Sequence, residues 1–126
     1  MPKTRVLIVD DFQIARRLVR KILGEADFAY FEVSDGDEAL NILCHERIDL
    51  ILLDQHMPGK SGLDLIELKN KIPNCAAVPV IMITAARSDS LVERGNDLGV
   101  LAWITKPIRP NDLLSAVQHV LLRKAS

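Results

Sequence analysis

Five polar side chains carry the chemistry of this chain: Asp10 and Asp11 in VLIVDDF, Asp54 in LLDQHMPG, Thr84 in IMITAA and Lys106 in WITKPI. Each follows an apolar run, and a charge at the edge of a buried segment costs free energy unless something compensates it. Two carboxylates about 4 Å apart repel by roughly 4 kcal/mol at an effective dielectric near 20, and a third adds to this. Lys106 offsets only part of that repulsion. Hard oxygen donors in a small cluster suit Mg²⁺, which keeps several waters and takes one or two carboxylates plus a phosphate oxygen. A carboxylate beside such an ion and a lysine can attack phosphorus and form an acyl phosphate, a reaction in which protein groups position and neutralise rather than bond. In that scheme Asp54 attacks, Mg²⁺ and Lys106 stabilise the phosphoryl oxygens, and the Thr84 hydroxyl donates to one of them.

Each residue also has a plainer explanation. Asp10 or Asp11 could cap a helix, Asp54 could start the turn at Met57-Pro58-Gly59, and Lys106 could be a surface lysine. What separates the readings is whether all five meet at one place, and that depends on the elements that carry them.

Five apolar runs punctuate the chain: RVLIV (5–9), AYFEV (29–33), DLILL (49–53), VPVIMI (78–83) and VLAWI (100–104). All but the second are nearly continuous, as parallel strands covered on both faces require. The charge inside AYFEV marks that strand as an edge. Between the runs the period becomes helical, with stripes at Ile14, Leu18, Val19, Ile22 and Leu23; at Ala39, Leu40 and Leu43; at Leu63 and Ile66; at Leu91, Val92 and Leu98; and at Leu113, Leu114, Val117, Val120 and Leu121. Ser34 and Asp35 with Glu38 resemble a capping box, Ser61 and Ser88 are helix starts, and Pro110 fits a first turn. Five strand–helix alternations with right-handed crossovers predict an α/β fold, a doubly wound five-stranded parallel sheet of order 2-1-3-4-5. Ligands bind such sheets at the carboxyl ends of the strands, near the point where strand order reverses. Asp10, Asp11, Asp54, Thr84 and Lys106 all fall on that rim.

Composition narrows the setting. The 126 residues suit one domain, and 48% hydrophobic with 26% charged residues describe an ordinary globular chain. A net charge of -1 gives no electrostatic case for nucleic acid or an anionic membrane. No apolar run approaches the roughly 18 residues of a membrane span, and MPKTRVLIVDDF lacks a signal-peptide pattern, so a cytoplasmic location is expected. Cys44 and Cys75 read as free thiols, buried or half-buried.

Taken together, VLIVDDF, LLDQHMPGKSGLDLI, IMITAA and WITKPI resemble, in order and spacing, the receiver domain of two-component response regulators, similar to the single-domain chemotaxis type. The resemblance spans residues 1–126 and implies a flavodoxin-like (βα)5 receiver domain without an output domain. It implies that Asp54 accepts a phosphoryl group from a histidine kinase or histidine phosphotransfer protein, and that the domain catalyses only its own phosphorylation and dephosphorylation. Asp11 and Asp54 would bind Mg²⁺ with the backbone carbonyl of His56, Asp10 helping directly or through water, and the Lys106-Pro107 bond would be cis. Thr84 and Trp103 would form the switch, with Trp103 standing where the family usually has Tyr or Phe, and Ala85 and Ala86 would leave the site open. A downstream protein would dock on the fourth helix, fifth strand and fifth helix, around residues 88–121, of a monomer or weak dimer. The alternatives are a receiver-like interaction module working without phosphate and a Mg²⁺-dependent aspartyl-phosphate phosphohydrolase. A flavin-binding domain of the same topology is disfavoured because DDFQIAR lacks a phosphate cradle.

Overall fold

The computed structural model describes residues 2–85 and 87–125. Ten elements alternate along the chain: β1 (Thr4–Val9), α1 (Gln13–Leu23), β2 (Phe28–Val33), α2 (Gly36–His45), β3 (Leu50–Leu53), α3 (Gly62–Lys69), β4 (Val80–Thr84), α4 (Asp89–Asp97), β5 (Ala102–Thr105) and α5 (Pro110–Ala125). The strands form one parallel sheet in the order β2-β1-β3-β4-β5.

The continuous apolar runs are explained by burial on both faces. In β1, Leu7 and Val9 join a core with Ile51, Leu53, Met82 and the inner faces of α2 and α3, whereas Val6 and Ile8 join Leu50, Leu52, Ile81 and Ile83 under Val19 of α1 and Leu113, Val117 and Val120 of α5. Side chains alternate across a strand, so each strand feeds both cores. Every such Leu, Ile or Val contributes about 1.5–3 kcal/mol by leaving water. β2 is the edge strand that its internal Glu32 suggested.

Helix starts depart from expectation in instructive ways. At α2 the cap is Asp35, whose carboxylate accepts from the Glu38 amide, while the Ser34 hydroxyl occupies the Glu38 side chain, so no reciprocal box closes. The reciprocal box occurs instead at α3, between Ser61 and Asp64. Neither Asp10 nor Asp11 is the N-cap of α1; Phe12 holds that position without a side-chain cap.

Two expectations about burial fail. Ile14 and Leu18 belong to the apolar stripe of α1, yet they are 81% and 40% exposed. They sit four residues apart on a line turned away from Val19, and nothing in the described fold covers that line. Cys44, expected buried or half-buried, is exposed, because its neighbour Leu43 takes the inward position on α2; Cys75 is buried as expected, and both thiols are free. Among the described residues no helix is long and apolar enough to cross a membrane.

Candidate functional site

The sheet register brings distant acids together. Val9 pairs with Leu53, so the residues that follow them, Asp10 and Asp54, emerge side by side. The Asp10 amide donates to Val33 O at 3.2 Å and the Asp54 amide to Val9 O at 3.0 Å, which fixes both backbones to neighbouring strands. One carboxylate oxygen from each of Asp10, Asp11 and Asp54 lies within 4.8 Å of the others.

Lys106 meets them from the far side of the sheet. Its amide donates to Thr84 O at 3.0 Å, and its ammonium reaches Asp10 Oδ2 at 2.7 Å and Asp54 Oδ2 at 3.4 Å. The Lys106-Pro107 peptide is cis. Asp10 and Asp54 are each 5% exposed, so their repulsion is little screened. Burial raises the Asp54 pKa above its ordinary 3.8; Lys106 pulls it back, Asp10 raises it further, and a hydrogen bond from the His56 backbone lowers it. Burial pulls the Lys106 ammonium down, but its hydrogen bond to Asp10 and the charges of Asp10 and Asp54 leave it above the usual lysine value. Lys106 pairs with Asp10 and Asp54 but not with Asp11, which leaves a deficit. Asp11 shows where it falls: its Oδ1 is buried with no hydrogen-bond partner among the described residues. An orphaned carboxylate oxygen beside two others is a donor set that fits a hard divalent cation.

The remaining expected residues take these places. Thr84 is fully buried at the end of β4, next to the strand that carries Asp54. His56 is exposed. With Phe12, Ile14, Ala15, Leu18, Ala85 and Lys106 it lines a cavity of about 430 Å³ that includes Asp54. Ala86 lies outside the described residues. Two contributors carried no sequence signal. Gln55 is buried, its carbonyl accepting from the Gly62 amide at 3.0 Å and its Oε1 from the Leu63 amide at 2.9 Å, so the loop after Asp54 is laced to the start of α3. Arg16 donates from Nη1 to the Asp10 carbonyl at 2.6 Å. An arginine inside an amphipathic helix looks like any solvated charge until the fold shows what it reaches.

The family model of the response regulator receiver domain matches residues 6–118. The chain belongs to that family. This receiver domain is 38% identical over 124 residues to the transcriptional regulatory protein ResD of Bacillus subtilis, covering 98% of this chain but only 50% of ResD. It thus spans about half the length of such relatives. It is also similar to the chemotaxis protein CheY4 of Vibrio cholerae, with 30% identity, a TM-score of 0.87, and coverage of 94% of this chain and 98% of that one. The Mn(2+)-bound form of the response regulator Rcp1 matches at 27% identity and a TM-score of 0.78, covering 93% and 91%. Receiver domains of this family are signalling modules that work with histidine kinases and downstream effectors.

Trp103 of the receiver domain is half-buried on β5, its indole Nε1 donating to Asn96 Oδ1 at 3.3 Å. The ring rests in a notch on α4 that exists because residue 95 is glycine: a Cβ there would stand 2.8 Å from Cη2 and closer still to Cζ2. Gly95→Ala should therefore expel the indole. Overpacking of this kind costs about 1–3 kcal/mol, against a helix-propensity gain of about 1. Because Trp103 is the sole tryptophan, its emission should shift to the red; an unchanged maximum would show that the notch does not hold the ring.

Proposed function

We propose that this receiver domain transfers a phosphoryl group from a phosphohistidine, on a histidine kinase or a histidine phosphotransfer protein, to Asp54 in the presence of Mg²⁺. The observation that carries this reading is the gathering of Asp10, Asp11 and Asp54 around an unpartnered Asp11 oxygen, with the Lys106 ammonium between two of them. Asp10, Asp11, Asp54 and the His56 carbonyl would hold the cation. When bound, Mg²⁺ supplies the positive charge that the three acids and the incoming phosphoryl oxygens need. The Mn(2+)-bound form of Rcp1 supports a divalent cation here.

In the transfer an Asp54 oxygen bonds to phosphorus while the P–N bond to the donor imidazole breaks, its electron pair returning to that nitrogen, which takes a proton from solvent. Lys106 neutralises one phosphoryl oxygen and the Thr84 hydroxyl donates to another. The exposed Phe12, Ile14 and Leu18 beside the acceptor give a donor protein an apolar surface to meet. Phosphorylation adds about -1.5 to -2 charges and biases a two-state arrangement; Thr84 and Trp103 are the elements of the switch, and the α4-β5-α5 face is the surface a downstream protein reads. Residues 1–126 act as one receiver unit in the cytoplasm, modifying only themselves.

The test is incubation with acetyl phosphate or a phosphorylated histidine donor, with Mg²⁺ or with EDTA. An acyl phosphate that maps to Asp54 and disappears with EDTA is the expected result. Absence of any label would favour an interaction module that works without phosphate, and a label on another residue would move the acceptor.

A further inference from the structure

We propose that Arg16 is a positioning residue for the acidic pair, clamping the Asp10 carbonyl and so fixing the direction in which Asp11 presents its carboxylate to a cation; this rests on the cation reading above. Asp10 is tied at every polar atom. Its amide goes to Val33 O, its Oδ1 accepts from the Phe12 amide at 3.0 Å, its Oδ2 from Lys106, and its carbonyl from Arg16 Nη1 at 2.6 Å. That carbonyl belongs to the peptide leading into Asp11. Turning this peptide plane would swing the Asp11 side chain, which has no hydrogen bond of its own at Oδ1 to hold it. Asp11 is therefore aimed through its backbone.

The guanidinium is itself held in place. Its Nε donates to Glu32 Oε1 at 3.3 Å, and the Arg16 and Glu32 side chains are only 15% and 24% exposed. The other Glu32 oxygen accepts from Arg20 Nη1 at 2.7 Å, and Arg20 is braced in turn by Glu25. A planar fork with donors at fixed angles can satisfy Glu32 and the Asp10 carbonyl together; a lysine ammonium reaches both poorly.

The sign of the effect distinguishes positioning from simple charge. As a cation close to the acids, Arg16 should by Coulomb's law alone weaken metal binding, and its removal should tighten it. A positioning role predicts the reverse. Loss of groups that orient metal ligands typically costs 10–100-fold in affinity.

The experiment is a Mg²⁺ titration by calorimetry at fixed pH and ionic strength, with ¹H–¹⁵N spectra of the metal-free forms. Arg16→Ala should bind Mg²⁺ about tenfold more weakly and shift the Asp11 amide resonance before metal is added, with Arg16→Lys recovering part of both. Equal or tighter binding by Arg16→Ala overturns the proposal, as does an unmoved Asp11 amide. If Arg16→Ala does not fold, Arg16→Met carries the test: it keeps the apolar stem but removes both donors and the charge, and it should weaken binding in the same direction, against the Coulomb expectation; unchanged or tighter binding there overturns the clamp. A parent protein that does not bind Mg²⁺ would overturn the cation reading and this inference together, whereas a binding parent with an unaffected Arg16→Ala overturns this inference alone.

Discussion

Asp54→Asn should erase the phosphoryl label and, in magnesium-free buffer at pH 7, melt above the parent protein. The first effect follows from removing the only carboxylate assigned as nucleophile, and at least a hundredfold loss of labelling is expected on the scale of essential catalytic groups. The second follows from burial. Asp54 is 5% exposed and its ionised form is disfavoured first by desolvation and further by Asp10, with Lys106 returning only part. Oxygens within 4.8 Å repel by about 3–4 kcal/mol at an effective dielectric near 20, before Lys106 offsets most of it. A remainder on the order of 1 kcal/mol persists, equivalent to roughly 3–6 °C for a domain of this size.

The pH dependence fixes the sign. Because the folded pKa lies above 3.8, the native state holds this proton more tightly than the unfolded chain does. The parent thus loses stability as pH rises from 3.8 through the folded value. The advantage of Asn should be absent below that window and full above it. Melting curves from about pH 3.5 to 8 in EDTA check this, and saturating Mg²⁺ should reverse the order by stabilising the parent alone. An Asn variant that melts below the parent at pH 7 without metal would mean that Asp54 is not strained by its neighbours.

How much of this is legible in the sequence depends on the range of the interactions involved. Strand identity is readable because nearly continuous apolar runs report burial on both faces, a property each run carries locally, and strand order follows from the strand–helix alternation with right-handed crossovers. The convergence of Asp10, Asp11, Asp54 and Lys106 is readable because parallel order places strand ends on one rim. Periodicity fails at Ile14 and Leu18, since a stripe announces an apolar surface but not whether the same molecule covers it. Lys69 is the converse case: three residues after Ile66 it lies on the inward side of α3 and is buried despite its charge, with Nζ donating to Ala76 O at 2.7 Å and Asn70 Oδ1 at 3.0 Å, acceptors supplied by the segment after the helix rather than by any periodic signal. Arg16, Gln55 and the fit of Trp103 against Gly95 are likewise contacts between different elements, set by the angle at which those elements meet, which no local pattern encodes.

Gly62→Ala should damage stability and the site together. Gly62 opens α3, and a Cβ there would lie 2.5 Å from the Asp54 carbonyl oxygen, 3.1 Å from Gln55 Cα and 3.1 Å from Met82 Cε. The methionine end can move. The Asp54 carbonyl cannot move freely, because the Asp54 amide is bonded to Val9 and the Gln55 carbonyl to the Gly62 amide itself. Relief must come from the backbone between Asp54 and α3, the segment that carries His56. Overpacking costs typically about 1–3 kcal/mol, and backbone on two sides puts this case at about 3 or above, a fall of roughly 10 °C or more in melting temperature. Ser61 and Asp64 still cap the helix, so far-ultraviolet circular dichroism should stay close to the parent at low temperature while Mg²⁺ affinity and labelling fall. Gly59→Ala is the control: at its φ of 77° the left-handed conformation costs an alanine about 1–2 kcal/mol, but a Cβ there meets nothing within 4 Å, so it should lose some stability and keep the site. If Gly62→Ala instead melts with the parent, the loop after Asp54 is not pinned to α3, and the geometry that aims Asp54 must be held from elsewhere.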